Sequence, residues 1–267
     1  MNFSWTAEVS RGLDSPDNES LAALFHENTK LAPELARRAA AEFSMTPFEA
    51  FVSSRGFRQY RGRPTVALPE PIDSDETVAG VMRRRRSSRD LGQTLRLDEL
   101  ATLLRQSLGP TALVENGPVS QPLRAWPSAG GLYPIDSYVV AARVEGVEAG
   151  LYHFNPFTSM LELLPARTPR EILRDGFFWQ DFVTEAAGAV LLVGVFERTM
   201  AKYGERGYRL VLLDAGHAAQ NLLLTAEQLR LNAVAIAGFC DDALAHDLGI
   251  DGVDETVLHA VAVGGST

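Results

Sequence analysis

The chain has 267 residues, of which 46% are apolar, so it is long enough to bury a core as one large domain or as a domain with a small appendage. Its formal net charge of −9 argues against non-specific DNA or RNA binding, because such binding requires excess Lys and Arg to neutralise phosphates. A single cysteine, Cys240, and the lack of a signal-peptide pattern or of a run of roughly 20 uncharged apolar residues predict a soluble cytoplasmic protein without a membrane segment.

Residues 1–72 are predicted to form an N-terminal arm with short helices, and residues 73–267 a single domain. Leu21, Leu24 and Phe25 indicate one short helix. The segment from Ala32 to Phe43, rich in Ala, Glu and Arg, indicates a second. A loop rich in Arg, Gly and Pro completes the arm.

Two helices are predicted at the start of the domain. The hydroxyl and acidic side chains of residues 73–76 suit a helix start, because they accept orphan N–H groups and complement its positive end. This helix would run to about Arg85. A second helix is predicted from near Asp98 and Glu99 to the stop signal Gly109-Pro110.

Four apolar or β-branched segments have the length of buried strands. They are Ser137–Val144, Val190–Phe196, Ala233–Phe239 and His259–Val263. Residues 150–164 indicate a hairpin that turns at Asn155-Pro156.

The longest helical segment runs from Tyr208 to Leu231. It is apolar on nearly every side between Leu210 and Leu224, which predicts a helix surrounded by protein. Strands around such a helix indicate an α+β domain with a mixed central sheet flanked by helices.

The signatures of several other enzyme classes are missing from the sequence. No Gly-x-Gly-x-x-Gly opens a helix after a strand, no phosphate-loop Lys-Ser/Thr occurs, and no Gly-x-Ser-x-Gly elbow exists. The five histidines lack metal-ligand spacing, and with one cysteine no metal site is predicted.

Three separated clusters remain as candidates for chemistry. The first is Arg85-Arg86-Ser87-Ser88-Arg89, whose guanidinium groups suit a phosphate; a solvated basic helix end is the alternative. The second, residues 126–134, has adjacent glycines that would let backbone N–H groups approach a flat ligand; a tight turn is the alternative. The third is Lys202-Tyr203-Gly204, where the ammonium favours the phenolate of its neighbour; a chance surface pair is the alternative.

In this order and spacing, the three clusters resemble the SagB-type dehydrogenases, the flavin oxidases of thiazole- and oxazole-forming peptide maturation within the nitroreductase superfamily. The resemblance runs from about Leu21 to Val263. Two further segments carry it, namely Phe25-His26-Glu27-Asn28-Thr29-Lys30 and Gly150-Leu151-Tyr152-His153-Phe154-Asn155-Pro156.

The resemblance implies a nitroreductase-like fold and a homodimer with two FMN sites at the subunit interface, each lined by both chains. It implies catalytic roles for Lys202 and Tyr203. Residues implied to bind the flavin phosphate and ribityl chain are Arg85, Arg86, Ser87 and Arg89. A loop reaching the flavin from the partner subunit would comprise Pro127, Ser128, Ala129, Gly130 and Gly131. Residues implied to lie beside the isoalloxazine edge are Ala235, Ile236, Ala237 and Gly238.

The resemblance further implies dehydrogenation of thiazoline or oxazoline rings to azoles. The substrate would be bound to a peptide or a carrier, and a cyclodehydratase or synthetase would be a partner. An NAD(P)H-dependent reductase of nitro compounds, quinones or enoyl groups is one alternative. A non-catalytic scaffold subunit is another, because superfamily members usually carry basic residues after the last strand, where this sequence has Gly264-Gly265-Ser266-Thr267.

Overall fold

The computed structural model describes residues 20–31, 58–116, 119–178 and 180–266. The helix expected between Ala32 and Phe43 lies outside these residues. Among the described residues, no helix combines the length and apolar character that crossing a bilayer requires.

Helices and strands alternate along most of the described chain. The helices are α1 (Leu21–Asn28), α2 (Val78–Arg84), α3 (Leu97–Leu108), α4 (Pro169–Gly176), α5 (Asp181–Thr184), α6 (Glu197–Tyr203), α7 (Arg206–Gln228) and α8 (Asp241–Leu248). The strands are β1 (Thr65–Ala67), β2 (Pro110–Asn116), β3 (Val119–Arg124), β4 (Ile135–Ala141), β5 (Gly150–Asn155), β6 (Met160–Leu164), β7 (Gly188–Val195), β8 (Asn232–Ile236) and β9 (Glu255–Gly264). The four strands and the hairpin expected from the sequence are thereby confirmed, with bounds shifted by a few residues.

Seven strands form one sheet in the order β1-β6-β5-β4-β7-β9-β8, and every neighbouring pair is antiparallel. The expectation of a mixed sheet is wrong for these strands. Strands β4, β5 and β6 follow one another through short connections, and a short connection reverses the chain direction. Strands β2 and β3 form a separate hairpin.

The sheet separates two hydrophobic cores. One core joins the sheet to α3 and α7, and the other joins it to α4, α5 and α8. The architecture is therefore an α+β sandwich with helices on both faces of an antiparallel sheet, which confirms the predicted class.

Helix α2 begins later than the acidic run at residues 73–76 suggested. Its N-cap is Thr77, whose side chain accepts a hydrogen bond from the Gly80 N–H at 3.1 Å. The helix ends at Arg84, so the arginine-rich segment lies just beyond it. The helix begins after Thr77 because the hydroxyl of this N-cap residue satisfies a backbone donor that an acidic residue farther upstream does not reach.

The long helix α7 is buried on one face only. Leu212 and Leu213 are 42% and 57% exposed, whereas the neighbouring Val211 and Ala215 are buried. The expectation of a helix surrounded by protein is therefore wrong within a single chain. Small side chains on the inner face let the helix lie close to the sheet, but the outer apolar face has no cover among the described residues.

The described part of the N-terminal arm contacts the domain at several places. Helix α1, which confirms the first predicted helix, is held by Arg209, whose Nε donates to Thr29 Oγ1 at 2.6 Å. Farther along, β1 pairs with the edge strand β6. Residues 58–72 thus contribute an edge strand to the sheet, while the division at residue 72 remains a prediction.

Candidate functional site

The connection from β3 to β4 contains a tight backbone turn that we call the glycine loop, residues 126–131. Gly130 and Gly131 have φ angles of 64° and 66°, a region that glycine adopts without strain. Two side chains fix the loop. Ser128 Oγ accepts the Tyr133 N–H at 2.9 Å, and Gln121 Nε2 donates to the Gly131 carbonyl at 2.9 Å.

Lys202 and Tyr203 form the last turn of α6, immediately before α7. A Cβ placed on Gly130 would lie 2.8 Å from Tyr203 Oη and 3.0 Å from Lys202 Nζ. Two of the three clusters singled out from the sequence therefore meet within one chain. Both polar side-chain ends lie at Gly130, one of the two adjacent glycines of the loop.

The arginine cluster, defined here as Arg85, Arg86, Ser87 and Arg89, follows α2. The Ser88 N–H donates to the Ala233 carbonyl at 3.0 Å, which ties this segment to the first residues of β8. Among the described residues, no carboxylate lies within ion-pairing distance of these three arginines, whereas Arg84 pairs with Glu76 and Glu227 at 3.0 and 3.1 Å. The cluster presents cations that the described part of the chain leaves without anions.

Residues 235–238 form the end of β8 and its continuation. The Gly238 carbonyl accepts a hydrogen bond from Gln180 Nε2 at 3.3 Å, and a Cβ on Gly238 would meet no atom within 4 Å. Two residues beyond Gln180, the Phe182 ring lies 5.2 Å from the Arg89 guanidinium carbon. The β8 end and the arginine cluster are thus neighbours, and open space lies beside Gly238.

The site residues expected from the sequence fall into two groups at opposite ends of α7. Lys202 and Tyr203 precede its first turn, while Arg84, adjacent to the arginine cluster, pairs with Glu227 in its last turn. The helix has 23 residues and rises roughly 34 Å. One chain therefore brings the glycine loop to Lys202 and Tyr203, and the arginine cluster to the β8 end, but keeps these two assemblies apart.

Two charged residues near the glycine loop were not singled out from the sequence. Asp214, on the inner face of α7, is 3% exposed, and its burial raises its pKa to about 6. Arg124, at the end of β3, is 8% exposed, and its burial lowers its pKa to about 10. The Arg124 guanidinium lies between the rings of Trp126, Tyr133 and Phe157, at 5.1, 5.4 and 5.8 Å from their centroids. A lone aspartate within an apolar helix was the available hint.

Several known proteins resemble this chain in sequence. MJ1384 of Methanocaldococcus jannaschii, which carries the name of a nitroreductase, is 32% identical over 188 residues that cover 70% of this chain and 91% of that protein. The microcin B17-processing protein McbC of Escherichia coli is 30% identical over 136 residues, covering 48% of this chain and 49% of McbC. The trifolitoxin-processing protein TfxB of Rhizobium leguminosarum bv. trifolii is 30% identical over 179 residues, covering 65% of this chain and 48% of TfxB. The chain spans about half the length of these two processing proteins.

Solved structures share the fold. A protein of Anabaena variabilis that carries the name of a nitroreductase matches with a TM-score of 0.65 and 28% identity, over 78% of this chain and 42% of that one. A chain of the E. coli microcin synthetase McbBCD complex matches with a TM-score of 0.58 and 21% identity, over 95% of this chain and all of its own length. The family model described as the nitroreductase family covers residues 82–265, which include the arginine cluster, the glycine loop and the Lys202-Tyr203 pair. A match over that range, on this antiparallel sheet and its long helix, makes the chain a member of the nitroreductase family.

Proposed function

We propose that the chain is an FMN-dependent oxidoreductase that dehydrogenates thiazoline or oxazoline rings to azoles during the maturation of a peptide product. The observation that carries this proposal is the contact of Lys202 and Tyr203 with the backbone of Gly130. It places an ammonium and a phenol together beside a loop that could receive a flat ring. The similarity to McbC and TfxB, which process microcin B17 and trifolitoxin, supports a peptide-derived substrate.

The residues present fit FMN in two respects. The arginine cluster offers guanidinium groups that no described carboxylate neutralises, as a phosphate requires. Gly238 is a position where a Cβ would meet nothing within 4 Å, as close approach of the backbone to a flat ring requires. In this proposal Arg85, Arg86, Ser87 and Arg89 hold the phosphate and ribityl chain, and residues 235–238 line one edge of the ring.

We further propose that each flavin site is built from two copies of the chain in a homodimer. The arginine cluster lies near the C-terminal end of α7, whereas Gly130 meets Lys202 and Tyr203 beside its N-terminal end, so the two groups would complete one site most simply if each came from a different subunit. The outer face of α7 runs between these ends and exposes Leu212 and Leu213. A second copy covering this face would juxtapose the two halves.

The chain's own residues would then manage the proton chemistry. Bound FMN supplies the acceptor for the hydride that leaves one carbon of the azoline ring. Tyr203 Oη would accept the proton that leaves the other carbon, so the ring loses two hydrogens and two electrons and becomes aromatic. Lys202 Nζ lies 5.5 Å from the centroid of the Tyr203 ring and would hold that ring in place. Oxygen would be the final electron acceptor.

The direct test combines a spectrum with a turnover assay. The purified protein should be yellow or take up added FMN, and it should convert an azoline-containing peptide into a product lighter by two hydrogens per ring, detected by mass spectrometry. A colourless protein that binds no added FMN would contradict the proposal. A flavin-loaded protein that leaves every azoline peptide intact would support the FMN part of the proposal and contradict the proposed reaction.

Replacing Gly130 by alanine should inactivate the enzyme selectively. The new Cβ would force Tyr203 Oη or Lys202 Nζ aside, since it would lie 2.8 and 3.0 Å from them. Gly146→Ala is the matched control, because Gly146 also has a positive φ of 75° but a Cβ there meets nothing within 4 Å. Both variants should lose about 1 kcal/mol of stability from the strained backbone, and only Gly130→Ala should lose azole formation. Equal azole-forming activities of the two variants would show that the glycine loop does not position Lys202 and Tyr203.

Removing a guanidinium from the arginine cluster should weaken FMN binding. A charge-assisted hydrogen bond contributes about 1.5–3 kcal/mol, so Arg85→Ala or Arg89→Ala should raise the FMN dissociation constant about ten- to a hundredfold. Flavin fluorescence quenching measures this constant. Arg174→Ala is the control, because it removes an exposed guanidinium that pairs with Asp175 within α4. An unchanged constant in both cluster variants would place the phosphate elsewhere.

A reductase remains the second candidate, favoured by the similarity to MJ1384 over 91% of that protein. Rapid bleaching of bound flavin by NADPH under nitrogen would favour it. Slow bleaching together with azoline turnover in air would favour the oxidase.

We also propose that a cyclodehydratase or synthetase partner delivers the azoline. This proposal is supported by the fold similarity to one chain of the McbBCD complex. That complex is a microcin synthetase, and its structure holds a truncated pro-MccB17. Azole formation from a linear precursor should then require the partner, whereas a preformed azoline should react without it.

A further inference from the structure

One charged side chain lies within the buried face of α7. Its neighbours on that face are apolar, namely Val211, Ala215, Ala218, Ala219 and Leu222. Asp214 is as buried as they are, and its Oδ2 makes no hydrogen bond to a described residue. The other buried polar residue of the helix, Thr225, is satisfied, because Ser107 Oγ donates to its hydroxyl at 2.9 Å. On this face of α7, Asp214 Oδ2 is thus a polar atom that is buried from solvent and has no hydrogen-bond partner among the described residues.

The groups that approach Asp214 come from the glycine loop. The Ser128 hydroxyl and the Ala129 N–H both act on its carboxylate and lower the pKa that burial raises, although neither completes a hydrogen bond of normal geometry. The indole N–H of Trp126, a residue 1% exposed, acts in the same direction, although its Nε1 completes no hydrogen bond of normal geometry. Three polar groups within four consecutive residues therefore converge on one carboxylate.

The next residue of the loop is Gly130, which contacts Tyr203 and Lys202 on the other side. The glycine loop is consequently held between Asp214 on α7 and the pair at the end of α6. A Cβ at Gly130 would stand 2.8 Å from Tyr203 Oη, so the loop backbone and the phenol are close neighbours and the position of the loop bears on that of the phenol.

The ionisable groups around Asp214 do not neutralise it. His217 on the same helix and Arg124 from β3 act on it only through space. From β4 and α6, Asp136 and Arg198 face this region, but they bond to each other through both carboxylate oxygens at 2.7 and 2.8 Å. Lys202 on α6 reaches the far side of the glycine loop. Burial remains the largest influence, so the ionised carboxylate is retained at a cost in stability that an asparagine of the same shape would not carry.

We propose that Asp214 is a positioning residue that fixes the glycine loop through Ser128 and Ala129, and thereby sets Lys202 and Tyr203 for proton transfer. The negative charge of its carboxylate attracts the Ser128 and Ala129 donors, which a neutral side chain of this size does less well. The catalytic consequence rests on the proposed function. The effect on the loop and on Lys202 does not, and it is measurable in the flavin-free protein.

The chain offers an internal reference for that measurement, because its lysines are Lys30 and Lys202 alone. Lys30 is exposed on the N-terminal arm, while Lys202 is partly buried against Gly130. Brief treatment with acetic anhydride followed by mass spectrometry gives the ratio of acetylation at the two lysines. The variants are Asp214→Ala and Asp214→Asn, with Thr225→Val as a control that removes a buried hydroxyl from the same helix face.

We expect the ratio of Lys202 to Lys30 acetylation to rise several-fold in Asp214→Ala, to rise less in Asp214→Asn, and to stay unchanged in Thr225→Val. In azoline turnover, kcat should fall about tenfold in Asp214→Asn with little change in KM, within the roughly hundredfold loss that misplaced catalytic groups cause. The same variant should melt no lower than the unmodified protein near about pH 8, because it removes the buried charge. Loss of activity without loss of stability separates positioning from misfolding.

The pH dependence supplies a further readout. The raised pKa means that the folded protein binds a proton more readily than the unfolded chain, so the penalty is present above about pH 6 and is relieved as the pH falls. The kcat profile of the unmodified enzyme should show a step near about pH 6 that Asp214→Asn lacks. An unchanged acetylation ratio in both Asp214 variants would overturn the proposal. A raised ratio in a protein that turns over no azoline would uphold Asp214 and reject the proposed reaction.

Discussion

Lys202→Ala and Tyr203→Phe should each abolish azole formation while leaving the protein yellow. Both side chains end at the Gly130 backbone, about 3 Å from where a Cβ would stand, and neither belongs to the arginine cluster that would hold the phosphate. A positioned acid–base group contributes about 10²–10⁴-fold, so turnover should fall by that factor while flavin content stays constant. Single-turnover assays with an azoline peptide, with FMN quantified after denaturation, separate the two quantities.

Matched substitutions elsewhere in the chain control for the chemistry of each change. Lys30→Ala removes the other lysine, whose ammonium pairs with Glu27 on the surface. Tyr152→Phe removes a phenol that donates to the Glu148 carbonyl at 2.7 Å, away from the glycine loop. Both controls should keep full turnover. If Lys202→Ala and Tyr203→Phe behaved like them, the pair would have no place in the mechanism, and the reductase would become the better candidate.

The central strands were predictable because they are buried on both faces. All seven residues of β4 and all but the last of β7 are buried, so the sequence of β7 is a continuous apolar run and that of β4 is apolar apart from Asp136 and Ser137. The edge strand β1 and the hairpin β2–β3 were not predicted. Residues 111–115 of that hairpin are exposed, and β1 spans three residues, so neither leaves an apolar pattern of its own. Their pairing partners, which no local pattern reveals, are what make them strands.

The clusters of the candidate site were visible in the sequence, but their arrangement was not. Gly130 and Lys202 are separated by some seventy residues, and only the folded chain brings them together. Asp214 reads as one polar residue in an apolar helix, and its loop partners lie far upstream. The antiparallel order of the sheet likewise depends on how connections cross it. Local pattern thus predicts elements and chemical groups, while the contacts that assemble them are tertiary.

The outer face of α7 is where sequence and single-chain structure disagree. The sequence predicts a helix that is apolar on nearly every side. In the structure, however, Leu212 and Leu213 are exposed, and a Cβ on Gly216 would meet nothing within 4 Å. Exposed apolar residues beside an open glycine suit the close approach of another helix. The disagreement is resolved if a second copy supplies the missing surroundings.

The Leu213→Arg variant should therefore be monomeric. It should also lose the ability to bind FMN. Burying a leucine contributes about 1.5–3 kcal/mol, and a two-fold interface contains the residue twice, so placing a charge there should weaken dimerisation by at least about a hundredfold. Sedimentation velocity measures the association state, and flavin fluorescence at the same concentrations measures FMN binding. The two losses should coincide, because the arginine cluster and the glycine loop would come from different subunits. Val253→Arg, at an apolar position that is 76% exposed before β9, should change neither. A monomeric Leu213→Arg variant that bound FMN with unchanged affinity would show that one chain suffices for the flavin, and the separation of the two groups along α7 would then need another explanation.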